Sequence, residues 1–329
     1  MTVLSLFAGG GAKTLGAKQA GFTPVGAVEI DADIAACYAQ NVSPLITVAS
    51  VLDVSPKPYE GVDLLMASPP CQQHSCARSK RLPTRADFDV GLDILRWARA
   101  IMPRFVLIEN VPPYQHTDSF QRIVAGLEAM GYFVDYAVLN SADFGVPQTR
   151  RRLILRACRD SMIPSLPSPT RHIGWYEAIE DLLPTLPESR FADWQLRRLN
   201  PEMMTPLLYG VQGESGERNS SPDSPSPTIT ANHAAAKYRA FLAHPNDMRS
   251  FPCPPGEKPA FTISTFQYGK PRAWLEQGRV VSLTARALAR FQTFPDSYEL
   301  PAKNELACKI IGNALPCEMA RRLCAGFLL

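Results

Sequence analysis

The chain has 329 residues, 46% of them hydrophobic, with a formal net charge of +3. That length suits one large or two ordinary domains with a sizeable core, and the small charge neither demands nor excludes nucleic acid. No apolar run is long enough to span a bilayer, and the apolar start at residues 3–7 is too short for a signal peptide, so the expectation is a cytoplasmic protein with no membrane partner.

The eight cysteines, at 37, 71, 76, 158, 253, 308, 317 and 324, show no CxxC and no Cys/His array. A reducing compartment without a zinc site or disulfide framework fits that pattern.

Residues 3–7 read as a first strand. Ala8-Gly9-Gly10-Gly11-Ala12-Lys13-Thr14-Leu15-Gly16 follows, a glycine turn opening a helix that ends before Gly21. Glycines there allow a tight turn and close ligand approach. The GK[ST] ending of a phosphate loop is missing. A second strand at 25–28 runs into Glu29-Ile30-Asp31. An acid at that tip is where Rossmann-like sites hold ribose hydroxyls, whereas Asp31 or Asp33 suits a helix cap better. A helix is predicted over 33–40 and a third strand over 45–49, leading to Asp53.

The apolar run at 62–66 reads as a buried strand. It stops at Pro69-Pro70, followed by Cys71-Gln72-Gln73-His74-Ser75. A lone cysteine is ordinarily a small buried hydrophobe. Prolines before it and polar residues after it make this a polar loop, so Cys71 is a candidate reactive thiol. His74 suits packing or a phosphate contact and is given no catalytic role. The basic stretch 75–89, with Arg78, Lys80, Arg81 and Arg85, reads either as a solvated loop or as a flap that touches phosphates.

A helix over 91–101 precedes a strand over 105–108 that ends in Glu109-Asn110. Glu109 is a capping acid or a carboxylate sharing the pocket of Cys71. A helix over 119–130, stopped by Gly131, leads to a strand over 133–139. Then comes Gly145-Val146-Pro147-Gln148-Thr149-Arg150-Arg151-Arg152 and a strand over 153–156. If the strand starts early, Arg150 and Arg152 share a face and suit bidentate recognition of an anion or base edge.

Beyond residue 159 proline and serine become frequent, and 213–227 reads as an exposed loop. Ser226-Pro227-Thr228-Ile229-Thr230 has a weak echo in Pro259-Ala260-Phe261-Thr262-Ile263-Ser264. Tyr238, Arg239, Tyr268, Lys270, Arg272 and Trp274 suit nucleic acid or an ordinary mixed surface. An amphipathic helix is predicted over 283–294. Gly312-Asn313-Ala314-Leu315-Pro316 is expected to open a last helix over 317–327. The reading is a catalytic and cofactor domain, 1–159 completed by 303–329, and a smaller irregular domain at 160–302.

Taken together and in order, these motifs resemble the cytosine-C5 DNA methyltransferases of bacterial or phage type. The match covers nearly the whole chain except the middle of the second domain. It rests on the cofactor loop from Phe7 to Gly11, Pro69-Pro70-Cys71-Gln72, Glu109-Asn110-Val111, Gln148 to Arg152, and the stretches 286–295 and 312–316. The sequence departs from the family pattern at Ala12, Ile30, Ser68, His74, Ala287 and Ile310.

The resemblance implies an α/β Rossmann-like S-adenosylmethionine-dependent domain with a mainly parallel sheet, plus an irregular target-recognition domain. It implies catalytic roles for Cys71, Glu109, Arg152, Asn110 and Arg150, the last bracing the loop or the Cys71 backbone. It implies cofactor binding by Phe7, Ala8, Gly9, Gly11, Glu29, Ile30, Asp53, Pro69 and Asn313. The implied reaction moves a methyl group from S-adenosylmethionine to C5 of a flipped-out cytosine in duplex DNA through a Cys71–C6 adduct, leaving S-adenosylhomocysteine, with no metal. A monomer is expected, with a cognate restriction endonuclease as candidate partner. The alternatives are tRNA as substrate, a silent DNA-binding relative, and a plain dehydrogenase, which gives Cys71 and the arginines no purpose.

Overall fold

The computed structural model describes residues 1–70, 85–189, 207–209, 219–220, 226–227, 272–274 and 280–328. Cys71, most of the basic stretch at 75–89, and Tyr238, Arg239, Tyr268 and Lys270 lie outside them. Chain contacts divide the protein into two compact units, one of residues 1–140, 151–168 and 314–329, the other of 141–150 and 169–313.

The first unit is built on seven strands: β1 (Thr2–Leu6), β2 (Thr23–Glu29), β3 (Thr47–Val48), β4 (Leu64–Ala67), β5 (Phe105–Asn110), β6 (Phe133–Asn140) and, after a short β7 (Gln148–Thr149) that belongs to the other unit, β8 (Arg151–Cys158). Their order is β3-β2-β1-β4-β5-β8-β6. The first five run parallel, and β8 runs antiparallel to both its neighbours. The chain lays β2 and β3 on one side of β1, then returns to lay β4 and β5 on the other. That reversal places a crevice at the carboxyl ends of β1 and β4, the usual ligand position in such sheets.

β1, β4 and β5 are almost wholly buried, as their continuous apolar runs require in a sheet covered on both faces. Ile94 and Trp97 of α3 (Arg85–Ile101) and Phe120, Ile123 and Leu127 of α4 (Asp118–Ala129) share one core cluster with Leu4, Leu6, Leu65, Val106 and Ile108. Each such side chain contributes about 2 kcal/mol on leaving water. Ala8, Ala27, Tyr38 and Val42 form a second cluster beside α2 (Ala32–Asn41). The first helix, α1 (Ala12–Ala20), meets the last long helix closely at Gly16, where a Cβ would strike the Cys317 carbonyl.

α3 begins at Arg85, so residues 85–89, expected in the loop, are helical. Gly131 takes positive φ past α4, with its N–H on the Glu128 carbonyl, the expected stop.

The second unit contains α5 (Trp175–Ile179), β9 (Leu207–Tyr209), β10 (Asn219–Ser220), β11 (Ser226–Pro227), β12 (Arg272–Trp274), β13 (Val280–Ser282), α6 (Ala285–Phe291) and α7 (Asn304–Asn313). β10, β9, β12 and β13 form an antiparallel sheet, and β11 pairs with β7. This region therefore carries more regular structure than its proline and serine content suggests. α7 was not anticipated, and Gly312 and Asn313 close that helix rather than opening the next. The last helix, α8 (Cys317–Ala325), starts after Pro316 and ends in a 3-10 turn at Gly326–Leu328.

Candidate active site

The site is built on four strand ends of the first unit. At the end of β1 the backbone turns sharply: Phe7 has φ 50°, Gly9 57° and Gly11 91°. Left-handed backbone at Gly11 disfavours a side chain, and a Cβ there would stand 2.5 Å from Val42 Cγ2. At Gly9 the same construction meets nothing within 4 Å, so the loop leaves open space above that residue. Ala12 is the first residue of α1 and has helical backbone, so it fits where a glycine is usual.

Glu29 ends β2. Its carboxylate accepts from the Gly9 N–H at 2.8 Å and from the Asp31 N–H at 3.0 Å, joining the glycine loop to the next strand tip. Asp31 caps α2, accepting from the Asp33 and Ile34 N–H groups, which leaves Glu29 for the loop. Ile30 is 70% exposed, an apolar side chain held out beside the carboxylate. Asp53 is exposed on a turn after the short β3.

Glu109, the penultimate residue of β5, is 7% exposed and pairs with Arg152 of β8, Nε to Oε1 at 3.0 Å. Next to it, Asn110 donates from Nδ2 to the Pro69 carbonyl at 3.1 Å and accepts the Val111 N–H at 2.8 Å. Both ends of that amide are thus engaged, and Asn110 ties the tip of β5 to the buried proline just before Pro70 and Cys71. The carboxylate, the guanidinium and Pro69 thus lie at the ends of neighbouring strands of the sheet.

Arg150 lies outside β8. β7 stops at Thr149 and β8 starts at Arg151, so strand alternation does not carry across Arg150. It is 1% exposed in the second unit and donates from Nη2 to the Gly312 carbonyl at 2.9 Å. The expected shared face with Arg152 is corrected on this point. Asn313 is exposed at the end of α7, also in the second unit. Ala287 and Ile310, both departures from the family pattern, are buried apolar residues of α6 and α7.

One residue of the site carried no role in the sequence reading. Lys13, from the first turn of α1, is 5% exposed and donates from Nζ to the carbonyls of Leu6 at 2.9 Å and Phe7 at 2.7 Å. Burial pushes its pKa down from 10.5 to about 8, against the upward pull of Glu109 and Glu29. The signal in the sequence was a lone charge among small residues at a helix start. Among the described residues no cluster of His, Cys, Asp and Glu could hold a metal ion, and no helix is long and apolar enough to cross a membrane.

The family model for C-5 cytosine-specific DNA methylases matches residues 1–326. The chain belongs to that family. It is a cytosine-5 methyltransferase.

Among its relatives, the Type II methyltransferase M.XorII of Xanthomonas oryzae pv. oryzae is 28% identical over 97% of this chain and 82% of that protein. M1.HphI of Haemophilus parahaemolyticus, also a Type II methyltransferase, is 27% identical over 100% of this chain and 87% of its own. Two solved structures share the fold. A DNA modification methyltransferase encoded within an E. coli prophage has a TM-score of 0.67 at 18% identity, covering 100% of this chain and 98% of that one. The S. pombe Dnmt2 methyltransferase has a TM-score of 0.64 at 17% identity, covering 99% of this chain and 97% of its own. In the methylase family the strand-end residues described above acquire a chemical setting: an α/β methyltransferase with a mostly parallel sheet.

Proposed function

We propose that this methylase transfers a methyl group from S-adenosylmethionine to C5 of a cytosine flipped out of duplex DNA, through a covalent bond between Cys71 and C6. The observation that carries the reading is the buried Glu109–Arg152 pair at the end of β5, joined through Asn110 to the proline that leads into Cys71.

The residues of the first unit fit the methyl donor. The open space above Gly9 admits a ligand close to the backbone, and the Glu29 carboxylate, held by two N–H groups, keeps lone pairs for ribose hydroxyls. Phe7, Ala8, Gly9, Gly11, Glu29 and Ile30 would hold it, with Pro69 beside them and Asp53 and Asn313 as further candidates. S-Adenosylmethionine, when bound, supplies an electrophilic methyl group.

Cytosine C5 is a weak nucleophile. The Cys71 thiolate adds to C6, forming the S–C6 bond and pushing the ring electrons toward C5 and N3. Glu109 gives a proton to N3 and accepts from the exocyclic amine, which needs a carboxyl held in place; Arg152 holds it and faces the developing charge on O2. Once C5 is methylated, a base takes the C5 proton, and the returning electron pair expels Cys71. A stacked base cannot reach these groups, so it must leave the duplex. The basic stretch after Cys71 is the candidate flap, Arg150 braces the second unit at α7, and that unit carries target recognition. Partnership with a restriction endonuclease accords with Type II relatives.

Competition between duplex DNA and tRNA for labelled methyl groups tests the substrate. The reading requires label in DNA. Label in tRNA alone assigns the RNA branch, and no transfer to either, with the donor bound, makes the chain a silent relative.

A further inference from the structure

Lys13 lies in the first turn of α1, under the turn that leaves β1. A protonated lysine has three N–H donors. Two reach the carbonyls of Leu6 and Phe7, at the ligand edge of the sheet. No third acceptor exists among the described residues, and the side chain is 5% exposed. A buried cation with an unused donor is costly unless something answers it. Of the elements packed around α1, β2 and β5 turn Glu29 and Glu109 toward it, whereas Glu318 and Arg321 of α8 pair with each other. Both carboxylates already have partners, in the Gly9 and Asp31 N–H groups and in Arg152.

We propose that Lys13 is a positioning residue for the methyl donor, holding the Phe7 turn through two carbonyls and giving its third N–H to the carboxylate of the donor's amino-acid moiety. The inference rests on the S-adenosylmethionine reading and names its carboxylate contact. The two carbonyl bonds persist when the amine is neutral, since a neutral amine keeps two N–H groups. The contact to the carboxylate belongs to the ammonium.

Two adenosyl probes separate this role from a purely structural one. S-Adenosylhomocysteine carries the carboxylate, and 5′-methylthioadenosine lacks it. In the wild-type chain with labelled lysine, the Lys13 Cε resonance should titrate near pH 8 and move back toward the ordinary lysine value with S-adenosylhomocysteine, but not with 5′-methylthioadenosine. By calorimetry, Lys13→Met should weaken S-adenosylhomocysteine about tenfold, the scale of a charge-assisted hydrogen bond, and leave 5′-methylthioadenosine nearly unchanged. Lys13→Arg should restore part of the loss. Equal weakening of both probes would make Lys13 only a loop brace and overturn the proposal, as would a wild-type titration that S-adenosylhomocysteine does not move. The titration uses the unmutated chain and decides the matter even where a variant fails to fold. Failure of the wild-type chain to bind either probe would instead overturn the donor site itself.

Discussion

Arg150 and Arg152 are two residues apart and have different hydrogen-bond partners. Arg152 sits in β8 and meets Glu109 across the sheet edge, whereas Arg150 precedes the strand and turns to the Gly312 carbonyl. The triple-arginine run advertised a cationic site, but the register that divides its members depends on where β7 ends. That is set by pairing with β11, far away in sequence. If Arg152 stabilises charge on the base, Arg152→Ala should lower kcat about 10²- to 10³-fold while DNA affinity falls much less. Equal losses in both would reduce Arg152 to a phosphate contact. Cys71→Ser should abolish methyl transfer while S-adenosylhomocysteine still binds; measurable turnover would remove Cys71 as nucleophile.

At the scale of elements, the glycine turn separates two demands that one motif conceals. Gly11 is required by packing and backbone together, so Gly11→Ala should cost about 1–3 kcal/mol of stability in a denaturant titration. Gly9 has positive φ but no neighbour, so Gly9→Ala should cost less stability and more ligand affinity. Comparable stability losses in the two variants would contradict that division. The parallel strands and their helices were legible because buried runs such as Leu64-Leu65-Met66-Ala67 alternate with capped amphipathic stretches. α7 was not legible: Gly312 reads as a helix breaker, yet it closes the helix, and its carbonyl takes a bond from Arg150. The strand end of Glu109 and the loop of Gly9 and Gly11 were found from sequence. The tie from Asn110 to Pro69 and the burial of Lys13 were not, because each depends on contacts that only the folded sheet supplies.

Across the whole molecule, the buried lysine makes stability depend on pH in a defined sense. Its folded pKa, about 8, lies below the unfolded value of 10.5, so the unfolded chain holds more protons between those limits. Stability relative to Lys13→Met should therefore rise as pH climbs from about 8 toward 10.5, by roughly 3 kcal/mol in full, and stay level below 8. Denaturant titrations of both chains across that window check the sign; a fall would place the ammonium in a stabilising pair. The division of the chain into two units follows the chemistry proposed for it: strand ends with the carboxylate, the guanidinium and the glycine loop in one, and the small antiparallel sheet in the other. The route proposed for the methyl group runs through a covalent bond between Cys71 and the base. Its most direct test is to incubate the protein with S-adenosylmethionine and duplex DNA containing 5-fluorocytosine in mixed sequence, then examine the denatured mixture by mass spectrometry. An adduct on Cys71 is the expected result. Intact donor binding with no adduct on Cys71 would contradict it.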